Sequence, residues 1–146
     1  MPYRICKTFE VENGHMLSKH PDRCRFPHGH TRRVEIVVES DGLDANEMVC
    51  DFKAVKGWIR DYLDALDHAM CMNTEDPAYG EMRARYGERV VGFGRRDPTT
   101  EVMAEEIFRR VRAGMDAHRV DGGVYALRGS VRLVSVRLWE TSSSWA

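Results

Sequence analysis

The sequence predicts an α+β architecture, in which helices cover one face of a small antiparallel sheet. Three observations carry that prediction. Two runs near the N-terminus alternate with period 2, two later segments repeat apolar residues with helical spacing, and a β-rich run closes the chain. With 146 residues the chain has room for one core, so residues 1–146 are expected to form a single domain.

The first strand covers Tyr3 to Val11, with Tyr3, Ile5, Phe9 and Val11 on one side and Arg4, Cys6, Thr8 and Glu10 on the other. The second covers Thr31 to Glu39, where Val34, Ile36 and Val38 oppose Arg33, Glu35 and Glu39, and Ser40-Asp41-Gly42 supplies turn chemistry. Between them, Glu12 to His30 holds four of the six histidines, and so long a connection in so small a domain is more often functional than idle. Asp51 then caps a helix whose apolar side is Phe52, Val55, Ile59, Tyr62, Leu63 and Leu66, and the pattern breaks at Asp67-His68. From Asn73 to Arg96 the chain reads as an irregular, charged excursion with a short strand from Arg89 to Phe93. A second helix is expected to open with Asp97 as cap, Pro98 in the first helical position and Glu101 against the positive end of the dipole. Met103, Ile107, Val111 and Met115 form its buried stripe, and Gly122-Gly123 and Gly129 precede the last strand, Val131 to Trp139. One face and the edges of such a sheet stay open, which makes oligomerisation a natural expectation.

Composition narrows the function. Hydrophobic residues make up 42% and charged residues 31%, with 22 Lys+Arg against 23 Asp+Glu and a net charge of -1, so bulk electrostatics favours neither nucleic acid nor an anionic membrane. No stretch approaches the roughly 18 apolar residues of a spanning helix, and the first residues lack the apolar run of a secretory signal, so a cytoplasmic location is expected. In that setting the four cysteines read as thiols. Cys6 and Cys50 sit in strand-like runs and Cys71 follows a helix, all as small hydrophobes, while Cys24 stands apart in a polar, histidine-rich loop.

The chemistry concentrates around His28-Gly29-His30 at the entrance to the second strand. Residues two apart on an extended chain point to one side, so both imidazoles can reach one ion, and pairing of the first two strands brings His15 alongside. Three histidines with an open fourth position is the pattern of a catalytic zinc site; the bland reading is chance in a polar loop. Cys24, four residues before His28, can either close the site as a fourth ligand or stand free beside it as a base or nucleophile. Asp67-His68 is a candidate acid–base pair or a dipole partner at a helix end. Glu140 by itself reads as a solvated carboxylate at a strand end.

Taken together, His15, Cys24-Arg25-Phe26-Pro27-His28-Gly29-His30, Asp51-Phe52, Leu66-Asp67-His68, Pro98-Thr99-Thr100-Glu101 and Glu140-Thr141 resemble the 6-pyruvoyl-tetrahydropterin synthase / 6-carboxytetrahydropterin synthase family, in order and over nearly the whole chain. The resemblance implies the tunnelling fold, an antiparallel sheet with two helices on one face, assembled into a ring that is usually a hexamer of two stacked trimers. It implies that His15, His28 and His30 bind Zn2+, that Cys24 and the Asp67-His68 pair move protons, and that Glu140 anchors a pterin with help from Thr99, Thr100 and Glu101 without touching the metal. The implied substrate is 7,8-dihydroneopterin triphosphate. The first expectation is the branch that forms 6-carboxytetrahydropterin with loss of triphosphate and acetaldehyde, which feeds 7-deazaguanine and queuosine synthesis; the pyruvoyl-forming branch is the alternative. From another class, a non-catalytic zinc-stabilised assembly module would use Cys24 as fourth ligand. Two features depart from the family's pattern: Glu12-Asn13-Gly14 replaces a small apolar pair before the first histidine, and the segment from Thr74 to Arg96 is long.

Overall fold

The computed structural model describes residues 1–146. Strand β1 (Tyr3–His15) and strand β2 (His28–Ser40) form a long antiparallel pair. Helix α1 (Phe52–Leu66) follows, then β3 (Ala69–Asn73), α2 (Tyr79–Tyr86), β4 (Val90–Phe93), α3 (Thr100–Asp121), β5 (Arg132–Thr141) and β6 (Ser144–Trp145). The six strands lie in the order β4-β3-β1-β2-β5-β6.

Alternation decides which side of the sheet is covered. Odd residues of β1 and even residues of β2 turn inward, so Val11, Val34, Ile36 and Val38 are buried while Thr8, Glu10, Thr31 and Arg33 are exposed. Helix α1 lays Val55, Ile59, Leu63 and Leu66 on that inner face, and α3 adds Met103, Ile107, Val111 and Met115, so both helices occupy the same side of the sheet as expected. Asp51 caps α1, its carboxylate accepting from the Lys53 amide.

Several expectations change. The sheet is mixed, not purely antiparallel, because β3 runs parallel to both β1 and β4. Helix α1 carries the chain from β2 back to the level of Asn13, from which β3 continues in the direction of β1. Its sequence, Ala-Met-Cys-Met-Asn, does not alternate because four of its five residues are buried, so Cys71 is a strand residue and not a helix-end one. There are three helices and not two: α2 buries no residue and therefore shows no apolar stripe in the sequence. Cys50 lies in a bend before α1, not in a strand. The α3 cap is Thr99, whose hydroxyl accepts from the Val102 amide, because Asp97 is drawn away into contacts with the loop after β1.

The α1–α3 crossing depends on Gly114. A Cβ there would lie 2.8 Å from both the Cβ and the carbonyl oxygen of Trp58, too close for the helices to keep their separation. Gly114→Ala is expected to destabilise the fold by about 1–3 kcal/mol through overpacking. The readout is a lower urea midpoint with an unchanged slope; an unchanged midpoint means the helices give way freely.

Candidate functional site

The observed strands reach further than the alternation suggested, and that extension builds the site. Strand β1 ends at His15 and β2 begins at His28; these two residues face each other across the ladder, and Asn13 faces His30. The three rings converge, with centroids 4.5 Å apart for His15–His28 and 5.1 Å for each of the other two pairs. One ligand nitrogen from each lies within 4.8 Å of the others.

Hydrogen bonds fix which nitrogens point inward. His15 Nδ1 lies 2.8 Å from the Pro98 carbonyl oxygen and His28 Nδ1 lies 2.8 Å from the Phe26 carbonyl oxygen. A carbonyl only accepts, so both Nδ1 atoms carry the proton and both Nε2 atoms keep a lone pair. Arg32 Nη2 also approaches His15 Nδ1 at 3.3 Å, but a guanidinium offers only donors and cannot pair with an N–H. Burial pushes His15 down to about 4 and lowers His30 as well, so both rings favour the neutral form. The Nε2 atoms of His15 and His30 are buried with no hydrogen-bond partner. The lone pairs of His15 Nε2 and His28 Nε2, whose rings are tied to carbonyls through Nδ1, and the unpartnered His30 Nε2 form a donor set that fits a divalent cation of zinc type.

Strand β5 brings Glu140 to this cluster. Leu138 pairs with Val34, so two residues further Glu140 reaches the level of Arg32. Its Oε1 lies 3.6 Å from His30 Nε2 and 3.8 Å from His15 Nε2. Thr100 Oγ1 donates to Oε1 at 3.0 Å and accepts from Arg32 Nη1 at 3.2 Å. Arg32 is 1% exposed, and burial lowers its pKa while the Glu140 charge opposes that shift. Thr99 is occupied as the helix cap and Glu101 is exposed, so of the three consecutive residues expected to assist Glu140 only Thr100 touches it.

Cys24 is half-buried in a single 3-10 turn, Arg23–Arg25, and its thiol is free. It is not among the converging ligand atoms. Its carbonyl accepts from the Leu17 amide at 3.1 Å, and Asp97 holds the same loop by accepting from Ser18 Oγ (2.6 Å) and the Lys19 amide (2.8 Å). Asn73 Nδ2 donates to Asp97 as well, at 3.0 Å. Burial alone would raise the Asp97 carboxyl; these hydrogen bonds hold it below its usual range. Asp97 is thus a clamp on the Cys24 loop, and Arg32 is a buried charge beside the histidines; the sequence reading singled out neither for such a role.

Asp67 and His68 lie elsewhere. Parallel pairing sets the start of β3 beside Asn13, so His68 falls level with Glu12 on the open side of the sheet. Its amide donates to the Glu12 carbonyl at 2.6 Å, its ring is 71% exposed, and its backbone is held at φ 57. Asp67 accepts from the Glu12 amide at 2.8 Å and from His68 Nδ1 at 2.7 Å. Those two bonds, the amide first, hold the Asp67 carboxyl below its usual range. The pair is therefore formed as a dyad, but within one chain it does not face the three histidines.

Residues 4–146 match the family described as 6-pyruvoyl tetrahydropterin synthase. The chain belongs to that family. A 6-carboxy-5,6,7,8-tetrahydropterin synthase of Aquifex aeolicus is 29% identical, the alignment covering 100% of this chain and 97% of that protein. The enzyme of the same name from Haemophilus influenzae is 25% identical over 98% of this chain and 96% of its own. Among solved structures, an uncharacterized protein of Wolinella succinogenes superposes with a TM-score of 0.77 at 23% identity, covering 100% of this chain and 97% of that one. A 6-pyruvoyltetrahydropterin synthase of Plasmodium vivax superposes with a TM-score of 0.73 at 16% identity, covering 100% and 96%. These likenesses identify the fold as the tunnelling fold, here with an antiparallel-dominant sheet and three helices. Membership makes this family member an enzyme of tetrahydropterin synthase type.

Proposed function

We propose that the protein is a zinc-dependent carbon–oxygen lyase that converts 7,8-dihydroneopterin triphosphate to 6-carboxy-5,6,7,8-tetrahydropterin, releasing triphosphate and acetaldehyde. The observation that carries this reading is the convergence of one ring nitrogen from each of three histidines within 4.8 Å, with a carboxylate beside two of them, in a chain of this family. Curated relatives of matching length bear the carboxytetrahydropterin name, which favours that product over the pyruvoyl one.

His15, His28 and His30 would hold the zinc. When bound, the ion supplies Lewis-acid polarisation of the substrate's side-chain hydroxyls. Cys24, on the loop clamped by Asp97, accepts a proton from the substrate side chain. Asp67 fixes the His68 tautomer through Nδ1, leaving Nε2 as the atom that exchanges a proton with substrate. The amino group and adjacent N–H of a pterin present parallel donors that the Glu140 carboxylate can accept. Because the dyad sits on the open face and the histidines on the helix-covered one, Asp67–His68 of one subunit serves the site of a neighbour in a ring, for which a hexamer of two trimers is our reading. No helix is long and apolar enough to cross a membrane, and we place the enzyme in the cytoplasm with no nucleic-acid partner.

The test is incubation of the zinc-loaded protein with 7,8-dihydroneopterin triphosphate. Equimolar triphosphate, acetaldehyde and 6-carboxytetrahydropterin are expected. Triphosphate without acetaldehyde assigns the pyruvoyl branch instead, and absence of both overturns the lyase reading.

A further inference from the structure

We propose that Glu140 is the fourth ligand of the metal centre in the substrate-free enzyme and that an arriving pterin displaces it. The proposal rests on the metal reading of His15, His28 and His30, and it departs from the expectation that Glu140 only anchors the substrate ring.

Two buried histidine nitrogens face a carboxylate oxygen. His15 Nε2 carries a lone pair because Nδ1 is protonated toward Pro98, and this nitrogen is buried without a partner, as is His30 Nε2. Both confront Glu140 Oε1, at 3.8 and 3.6 Å. Those separations are too long for a shared proton, since N–H···O bonds end near ~3.2 Å. Toward these two nitrogens they are close to what one cation imposes, since ligand atoms at about 2.1 Å on a tetrahedron lie about 3.4 Å from each other, while the group whose atoms all lie within 4.8 Å holds the three histidines without Glu140. The lone pairs of His15 Nε2 and Glu140 Oε1 repel at that spacing unless a cation lies between them.

The carboxylate is also held from behind. Thr100 donates to Oε1 itself at 3.0 Å, and the buried Arg32 guanidinium donates to Thr100 at 3.2 Å. A carboxylate oxygen has two lone pairs, so Oε1 keeps one for a metal while accepting from Thr100. Hydrogen-bonded carboxylate ligands of this kind are the usual outer-shell arrangement of a metal site.

This arrangement makes the two roles of Glu140 exclusive in time. A carboxylate that accepts two parallel N–H groups from a pterin has both oxygens engaged and leaves the metal, opening the position that the substrate's hydroxyls need. Glu140 then acts as a latch that keeps the centre four-coordinate until a ring with the right donor pair arrives.

Cobalt(II) substituted for zinc reports coordination through its visible absorption, independently of turnover. For the wild-type protein, a four-coordinate spectrum is expected. Glu140→Gln is expected to shift that spectrum and weaken cobalt binding by at least about 100-fold, at or beyond the upper end for losing a residue that merely supports a ligand. Titrating wild-type cobalt protein with 6-methyl-7,8-dihydropterin, which has no side-chain hydroxyl to reach the metal, is expected to move the spectrum toward that of the variant. This second measurement needs no substitution, so it holds even if the variant folds poorly. An unchanged spectrum on saturation with the pterin, together with Glu140→Gln affinity within about threefold of wild type, overturns the latch. His28→Ala separates the levels: if it loses cobalt while Glu140→Gln does not, the histidine site stands and only the latch falls. If His28→Ala also binds as wild type, both fall.

Discussion

Cys24→Ala is expected to lower turnover by a factor on the order of 10²–10⁴ while leaving metal content unchanged, the range for loss of a positioned general base. The two halves of that expectation come from different parts of the structure. Metal is retained because Sγ is not among the ligand atoms that converge from His15, His28 and His30. Fold is retained because the loop is fastened by groups other than the thiol: the Leu17 amide bonds to the Cys24 carbonyl, and Asp97 gathers Ser18, Lys19 and Asn73. What remains for the thiol is chemistry. Metal content measured on the purified variant beside its steady-state rate decides the matter. Loss of zinc in step with activity would turn the site into a closed Cys-His one and favour a structural role.

How much of this was legible in the sequence follows from the range of each interaction. The metal histidines could be found because strand alternation and one hairpin pairing suffice: His28 and His30 share a side, and His15 lies opposite. Glu140 could be placed on a strand but not beside the histidines, since its contact with Thr100 joins β5 to the first turn of α3, 40 residues apart. Local capping rules misassigned Asp97. Its position before Pro98 suits a helix start, yet its carboxylate bonds to residues 18 and 19, and Thr99 takes the cap. Arg32 was not singled out, although alternation sets it on the side of Val34, Ile36 and Val38, and the register buries it to 1% exposure. Buried arginines are rare enough that composition argues against them, and only a partner such as the Thr100–Glu140 pair makes the position tenable. Strand β3 escaped because a parallel strand covered on both faces carries no alternation. The separation of Asp67–His68 from the histidines is likewise a matter of sheet side, set by the Asn13–Ala69 register, which no local pattern encodes.

His28→Ala is expected to abolish metal binding at micromolar concentrations and with it all measurable turnover, yet to leave the domain folded. Supporting residues alone alter metal affinity by about 10–100-fold, so removing one of three protein nitrogens has a larger effect. The fold survives because the buried apolar core is built from 21 residues that include none of the three histidines. His28 stands at the first position of β2, partly exposed, where truncation opens onto solvent instead of leaving a cavity. The ligand set also predicts an acid limit for the metal-free protein. His15 is held at about 4 in the folded chain against an ordinary 6.5, chiefly by burial. Between those values the unfolded chain binds a proton that the native state refuses, so stability is full above about 6.5 and declines as the pH falls toward 4. The lowered carboxyls, Asp67 and Asp97 among them, act only nearer or below their usual values and cannot produce a decline that starts at 6.5. Bound metal requires the same neutral ring, so metal release is expected as the pH falls through the same acidic range. Metal analysis and urea unfolding of His28→Ala, with urea midpoints of metal-free wild type from pH 7.5 to 4.5, test both parts. Full occupancy in the variant removes His28 from the ligand set, and a flat midpoint across that range would show that His15 titrates as a solvated imidazole.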